Sequence, residues 1–330
     1  AERTNSGMMM QSDADLLEKE PELSPRSLEQ GTGNEPERES PAAASAPDAA
    51  SDAASTQTAD TVAILVAHGE RGGARSNELL LNHAKSINSP DDPVFGAVLN
   101  GEPSLEAVLD QALAFSPQQI LIYPFFIAPG YFVGRVLPRR IQESGLADTC
   151  RVLAPFGSDA GLPELITKRA LGMAVREGWK PQDVRLLLVG HGSRSGAPAS
   201  ATATRAMAAK LKRMTNFAEV AVAYLEEPPL VASVLKKSSR STIAVGFFCG
   251  DGLHSAEDVP EALSAWGGKS VYTGPVGAGP EVASLMGASI DLAKANRSAS
   301  QPVREFGPNV FQRLRRIVSD TVEFWSFAKP

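Results

Sequence analysis

The sequence predicts an α/β fold of two tandem, duplicated domains, each a mainly parallel sheet flanked by helices, behind a disordered N-terminal tail. Three observations predict it. Short apolar runs that resemble buried strands alternate with helical segments, an order typical of parallel sheets. The same order occurs twice with matching sequence, which indicates a duplicated domain. Finally, the first 60 residues lack the branched and aromatic side chains that a core requires.

The predicted tail, residues 1–60, is rich in Pro, Ala, Ser and acidic residues, as in "EPERESPAAASAPDAASDAASTQTAD". Such a segment buries too little apolar surface to offset the entropy lost on ordering. We therefore predict a disordered acidic tail without a role in activity.

The first copy, residues 61–180, alternates strands and helices in order. "TVAILVAHG" is an apolar run that ends in glycine and predicts a buried strand, and "SNELLLNHAKSI" predicts a helix. The strand "FGAVLN" precedes the helix "SLEAVLDQALAF", and the strand "QILIYPFFI" precedes the helix "GRVLPRRIQESG". "RVLAPFG" is the last predicted strand, and "LPELITKRALGMAVREG" the last helix.

The second copy, residues 181–296, repeats this order. "VRLLLVGHGSRSG" matches "TVAILVAHGERGG", and "TIAVGFFCGDGLHSAEDVPEAL" matches "QILIYPFFIAPGYFVGRVLPRRI". We place the joint at "GWKPQD", where tryptophan, proline and polar residues interrupt the helical pattern. The remainder, 297–330, is predicted to be a helical tail, because apolar residues recur at helical spacing across 309–327.

Composition excludes several classes of protein. The net charge of −6 argues against general binding to nucleic acid. Two cysteines are too few for a disulfide framework and favour a reducing compartment. No apolar run reaches membrane-spanning length, and the N-terminus lacks the order of a signal peptide. We expect a cytoplasmic protein without a membrane span, as a monomer or weak homodimer.

The duplication allows the chemistry of the two copies to be compared position by position. At equivalent positions of the two repeats, the second copy has reactive side chains where the first copy has less reactive ones. The exception is one histidine, which both copies have. This pattern predicts a working site beside a degenerate one. The pairs, second copy first, are His191 and His68, Glu226 and Asn100, His254 and Phe132, and Asp258 and Val136.

Three of these residues form a predicted metal site. His191, His254 and Glu226 each follow a predicted strand, and the carboxyl ends of parallel strands converge on one crevice. Imidazole and carboxylate are suitable ligands for divalent cobalt, iron, nickel and zinc. Glu227 adjoins Glu226, so the residues alone leave open which carboxylate faces the metal.

The motifs "LLLVGHGSR" and "GLHSAEDVP" resemble those of the class II chelatases of the sirohydrochlorin chelatase group, in their tandem form. The resemblance covers roughly residues 61 to 295. It implies insertion of cobalt, nickel or iron into a tetrapyrrole without ATP and without a prosthetic group. It also implies that His191 and His254 handle the metal, with Glu226 as their acidic partner. Some tandem members keep the site in the first copy; here that copy lacks the second histidine, so the second copy is assigned.

The resemblance also implies a polycarboxylate substrate, which cations near the pocket would position. The candidates are Arg194 in the histidine loop and, on the matching helix of the first copy, Arg135, Arg139 and Arg140. Phe132 offers an apolar wall for the macrocycle. Asp258 could orient His254 or serve as a charge at a helix N-terminus.

The preferred hypothesis is a sirohydrochlorin cobaltochelatase of cobalamin biosynthesis. The alternatives are insertion of Fe²⁺ for sirohaem, or a non-catalytic carrier of metal or tetrapyrrole. A phosphate-binding loop, a histidine phosphatase and a serine hydrolase are disfavoured, because neither "HG" loop carries their motifs. We interpret His68 as a structural relic or a residue of the pocket wall, His83 as a residue on a helix surface, and Cys249 as part of the core.

Overall fold

The structure is a computed structural model of the 330-residue chain, and it describes residues 58–69, 77–194, 198–250 and 257–296. Most of the predicted N-terminal tail and the helix predicted over 309–327 lie outside the described residues. Within the described residues no helix is long and apolar enough to cross a bilayer.

Strands and helices alternate along both copies, as the sequence predicts. The strands are β1 (Thr61–Ala67), β2 (Val94–Val98), β3 (Gln119–Pro124), β4 (Cys150–Val152), β5 (Arg185–Gly190), β6 (Glu219–Tyr224), β7 (Thr242–Gly246) and β8 (Ser270–Pro275). The helices are α1 (Glu78–Ile87), α2 (Leu105–Leu113), α3 (Leu137–Glu143), α4 (Leu162–Arg176), α5 (Ala199–Met214), α6 (Val231–Leu235), α7 (Val259–Trp266) and α8 (Glu281–Ala295).

Each copy forms its own parallel four-stranded sheet. The strand order is β2-β1-β3-β4 in the first sheet and β6-β5-β7-β8 in the second. The register repeats as well: Leu65 of β1 pairs with Tyr123 of β3, and Leu188 of β5 pairs with Val245 of β7. The predicted fold class, two duplicated domains with mainly parallel sheets, is confirmed.

The two sheets share a central core. Along β1, Ala63 and Leu65 point into a cluster that also contains Leu186 and Leu188 of β5. The alternate residues of β1 point to the opposite face of the first sheet and pack against α2 and α3. Those of β5 point to the opposite face of the second sheet and pack against α6 and α7. The apolar runs of the strands arise because both faces of each sheet are covered.

Two helices pack across the boundary between the copies. Helix α4 of the first copy lies against β7 and β8, and α8 of the second copy lies against β3 and α1. The described residues accordingly fall within one compact unit. The sheets follow the sequence repeat, whereas α4 and α8 each cover the sheet of the other copy.

Buried polar contacts reinforce this junction. The hydroxyls of Tyr123 and Ser289, one from each copy, both donate to the same carboxylate oxygen of Asp159, at 2.7 and 2.6 Å. Burial raises the pKa of Tyr123 well above its ordinary value, and the Asp159 charge raises it further. The phenol therefore stays protonated and keeps donating to the carboxylate.

His83 was predicted on a helix surface, and that prediction is wrong. Its side chain is 5% exposed, and its Nε2 lies 2.8 Å from the carbonyl oxygen of Gly277 in the other copy. The ring also contacts Phe125 edge-on, with centroids 5.7 Å apart. Desolvation lowers its pKa, and the nearby Arg169 lowers it further although the Gly277 bond opposes the shift. His83 is thus a buried, neutral link between the copies.

Two elements differ from their predicted extent. Strand β4 ends at Val152, because the following residues turn into a short 3-10 segment at Phe156–Ser158. Helix α3 is preceded by a π-helical turn, Phe132–Val136, in which the amide of Leu137 donates to the carbonyl of Phe132. Pro138 follows and has no amide hydrogen for a regular helical bond, which accounts for the wider turn.

Candidate functional site

The two histidine loops begin where the first strand of each sheet ends, and their backbones match. The amide of Glu226 donates to the carbonyl of His191 at 3.0 Å, and the amide of Asn100 donates to the carbonyl of His68 at 2.9 Å. Each histidine therefore lies beside the residue that follows the neighbouring strand, as convergence of parallel strand ends predicts.

Glycine after each histidine is required by the backbone. Gly192 and Gly69 have φ angles of 78° and 83°, a region that residues with a Cβ rarely adopt. A Cβ on Gly69 would lie 1.9 Å from the carbonyl oxygen of Asn100. The amide of Gly192 also donates to the hydroxyl of Ser200, at 3.2 Å, which ties the loop to α5. The "HG" pairs thus fix the position of the histidine.

In the second copy the histidine faces a carboxylate. Nδ1 of His191 lies 3.5 Å from Oε2 of Glu226, and their side chains are 42% and 18% exposed. Of the adjacent pair Glu226 and Glu227, it is Glu226 that contacts the histidine. Oε1 of Glu227 is buried and has no hydrogen-bond partner among the described residues. An imidazole and a carboxylate at the same strand edge suit a first-row divalent ion.

Arg194 lies on the other side of the same carboxylate. Its Nε is 3.4 Å from Oε1 of Glu226, and its side chain is 81% exposed. Glu226 therefore has the histidine beside one oxygen and the guanidinium beside the other. The predicted substrate-binding arginine thus contacts a predicted metal ligand.

His254, the second predicted metal-handling histidine, lies outside the described residues. Within the described parts of the chain, no cluster of three His, Cys, Asp or Glu side chains is arranged to hold a metal ion. Asp258 precedes α7 at the cap position, and its side chain does not cap that helix. The roles of His254 and Asp258 stay predictions.

The equivalent position in the first copy is occupied by neutral partners. Nδ1 of His68 lies 2.8 Å from the carbonyl oxygen of Gly69, so Nδ1 carries the proton and donates. The side-chain amide of Asn100 then donates to Nε2, at 3.3 Å. Both ring nitrogens are engaged, and the ring of Phe132 stands edge-on to His68 with centroids 4.3 Å apart. Among the described residues, this arrangement supplies neither a carboxylate nor a second imidazole for a cation.

Aromatic side chains of the first copy cluster near the second copy. Phe132 packs into the outer core of its own copy and stacks with Phe126 at a centroid distance of 6.5 Å. Its neighbour Tyr131, which the sequence reasoning missed, is 65% exposed. A Cβ on Gly130 would be 3.8 Å from that of Ala199, where α5 begins after the His191 loop. The aromatic turn of one copy therefore adjoins the histidine loop of the other.

The three candidate arginines of the first copy have different surroundings. Arg140 pairs with Glu106 and donates to the carbonyl of Leu99, so it holds α2 and α3 together. Arg139 pairs with Glu143, one turn further along the same helix, at 3.4 Å. Arg135 is exposed and has no ion pair among the described residues. Of the three, Arg135 is the one whose charge is not already matched by a described carboxylate.

Cys249 is half-buried and packs against the shared core, as predicted from sequence. Burial raises the pKa of its thiol well above the ordinary value. A protonated thiol is a poor metal ligand at neutral pH. Burial likewise raises the pKa of Cys150 to about 12. Neither cysteine is suited to take part in the chemistry of the histidine loops.

Comparison with known proteins identifies the family. The CbiX family model matches the chain twice, over residues 62–172 and 185–293. The chain belongs to the CbiX family. The double match also confirms the tandem form and the resemblance to the sirohydrochlorin chelatase group of class II chelatases.

Individual relatives agree with this assignment. A probable sirohydrochlorin cobaltochelatase of Halobacterium salinarum is 27% identical over 223 residues, covering 60% of this chain and 75% of the relative. The solved structure of a CbiX described as the terminal enzyme of sirohaem biosynthesis in denitrifying bacteria is 33% identical. It matches with a TM-score of 0.59 over 70% of this chain and 98% of its own. SirB from Bacillus subtilis, solved with Fe³⁺, shares the fold at 17% identity, with a TM-score of 0.63 over 74% of this chain and 100% of SirB.

Proposed function

We propose that this chain is a sirohydrochlorin chelatase that inserts a divalent metal, Co²⁺, into the tetrapyrrole without ATP. The observation that supports the proposal most is the contact between His191 and Glu226 at the strand edge of the second copy, in a chain of the CbiX family. The first copy carries the same loop with an amide in place of the carboxylate.

Metal insertion sets two chemical requirements. The metal must be held weakly at one face of the macrocycle, and two pyrrolic protons must leave as the metal–nitrogen bonds form. His191, Glu226 and the predicted His254 would share both tasks, since imidazole and carboxylate can each bind a cation or accept a proton. One group cannot do both at once, so several groups are needed. Neither task requires a prosthetic group.

Substrate positioning is assigned to side chains around this pair. The tetrapyrrole carries several carboxylates, which guanidinium groups bind through paired hydrogen bonds. Arg135, which is exposed and has no ion pair among the described residues, would fill this role together with Arg194, which lies beside Glu226 in the histidine loop. Arg139 and Arg140 pair with Glu143 and Glu106 of the first copy. Tyr131 and Phe132 would contact the macrocycle face.

Cobalt is preferred over iron for one reason: the Halobacterium salinarum relative is named for cobalt. A second candidate, insertion of Fe²⁺ to form sirohaem, is favoured by the CbiX of denitrifying bacteria, at 33% identity. Histidine and carboxylate ligands suit both ions, so the donor set does not separate them. The cobalamin pathway, the cytoplasmic location and the monomeric or weakly dimeric state stay predictions.

Anaerobic assays with purified full-length protein test the proposal. Sirohydrochlorin is mixed in turn with Co²⁺, Fe²⁺ and Ni²⁺, and metallation is followed by absorbance over many equivalents of substrate per protein. We expect multiple turnovers, fastest with Co²⁺. A faster rate with Fe²⁺ would support sirohaem formation instead. Stoichiometric binding without turnover would favour a carrier, and no metallation with any ion would refute the enzyme.

A further inference from the structure

The contact between Arg194 and Glu226 suggests a function beyond holding substrate. The guanidinium lies 3.4 Å from the Glu226 carboxylate, yet 81% of the arginine side chain is exposed. Exposed ion pairs contribute little free energy, because water competes for both charges. Arg194 can therefore leave Glu226 at small cost, while the carboxylate itself, 18% exposed, stays in place beside His191.

A metal ion and Arg194 would compete for this carboxylate. A divalent ion bound by His191 and Glu226 would lie next to a guanidinium that remains charged at every accessible pH. The two positive charges repel, and each would use the lone pairs of the same carboxylate. With Arg194 on Glu226 the site would be closer to neutral, and its affinity for metal would be lower.

A polycarboxylate offers Arg194 another partner. We propose that Arg194 is a displaceable counter-ion, which pairs with Glu226 in the unliganded protein and moves to a carboxylate of the tetrapyrrole when that substrate binds. The exchange exposes Glu226 to metal, so that binding of the macrocycle strengthens binding of the ion. This inference rests on the proposed function, and Arg194 acts in it as a positioning residue.

The two copies differ in the partner needed for such an exchange. Both histidine loops have the order His-Gly-x-Arg, "HGSR" in the second copy and "HGER" in the first. The first copy has Asn100 where the second has Glu226, and its amide donates to His68. The carboxylate with which an arginine can exchange is present at this position only in the copy assigned to metal insertion.

Two separate binding measurements test the exchange. Co²⁺ is titrated into tetrapyrrole-free protein by calorimetry, and sirohydrochlorin is titrated into metal-free protein by fluorescence. Arg194→Gln should tighten Co²⁺ binding by about two- to fivefold, the range expected for an exposed ion pair, and should weaken sirohydrochlorin binding. Tighter Co²⁺ binding together with weaker sirohydrochlorin binding is diagnostic, because a variant that only disturbs the loop would weaken the binding of both ligands. The gain in Co²⁺ affinity should shrink at high salt.

Three further variants complete the experiment. Arg194→Lys keeps the charge and should return Co²⁺ affinity toward the wild-type value. Lys168→Gln removes an exposed cation of the first copy that pairs with Glu164 on α4, and should change neither affinity. Glu226→Gln should weaken Co²⁺ binding; if it does not, the proposed function loses its metal site. If Glu226→Gln weakens Co²⁺ binding but Arg194→Gln fails to tighten it, the exchange is refuted and the proposed function survives.

Discussion

The pH dependence of stability tests how the two copies are joined, because a buried histidine lies at their junction. His83 is 5% exposed, and its Nε2 contacts the carbonyl oxygen of Gly277 at 2.8 Å. Burial holds its pKa below the value of 6.5 that it has in the unfolded chain, and Arg169 acts in the same direction. At a pH between the two values the unfolded chain binds a proton that the folded protein does not.

The sign and size of the effect follow from this difference. The contribution of neutral His83 to the free energy of unfolding is complete above about pH 6.5. It is lost as the pH falls toward the pKa of His83 in the folded protein. One such group changes the free energy of unfolding by at most about 1.4 kcal/mol per pH unit. Replacing His83 with leucine removes the hydrogen bond and leaves the buried carbonyl of Gly277 without this donor, at a cost of about 1–3 kcal/mol.

Urea unfolding of three proteins between pH 5 and pH 8 provides the assay. His83→Gln can still donate to Gly277 but does not titrate, so its stability should approach and then exceed that of wild type as the pH falls. His83→Leu should be the least stable of the three at pH 8. His68→Gln, which replaces an exposed histidine, is the control and should follow wild type. Parallel curves for wild type and His83→Gln would refute the argument.

Three further changes have defined outcomes. A chain beginning at residue 58 should keep full chelatase activity and stability, whereas one that also lacks Ala59, which is 7% exposed and packed in the outer core, should lose stability in urea. Gly192→Ala should cost about 1–2 kcal/mol of unfolding free energy, because φ is 78° there, and should slow metal insertion. Tyr123→Phe removes one hydroxyl from the buried Asp159 and should cost about 1–3 kcal/mol in the same assay.

Each of these expectations has an outcome that contradicts it. Lower specific activity of the chain that begins at 58 would give the N-terminal segment a role in the reaction. A Gly192→Ala protein as stable and as fast as wild type would mean that the loop tolerates a different backbone conformation. Unchanged stability of Tyr123→Phe would show that Ser289 and water satisfy Asp159 without the phenol.

Much of the fold could be predicted because it is encoded by local patterns. Apolar runs marked the strands, and the duplication assigned equivalent positions without any structure. The proximity of His191 and Glu226 followed from one geometric rule, that neighbouring parallel strands end at the same edge. The choice between Glu226 and Glu227 did not follow, since it depends on how a short loop turns after β6.

The packing between the copies was not predictable to the same degree. The amphipathic pattern of α4 and α8 shows that one face is buried, but the pattern does not say against which sheet. His83 did leave a signal, because it shares a helix face with Leu80 and Ala84, both buried. Its polarity favoured a surface position, and the acceptor that permits burial, Gly277, lies 194 residues away.

Initial rates of the variants His191→Ala and His68→Ala test most directly whether the second copy carries out metal insertion. Nδ1 of each histidine lies near the carbonyl oxygen of the following glycine, but His191 also contacts the carboxylate of Glu226, whereas His68 contacts the amide of Asn100. With folding checked by circular dichroism, we predict that His191→Ala lowers the rate by about 100-fold or more, as loss of a proton acceptor does. His254→Ala should match it, and His68→Ala should keep most of the activity. An inactive His68 variant beside an active His191 variant would place the site in the first copy and contradict the account.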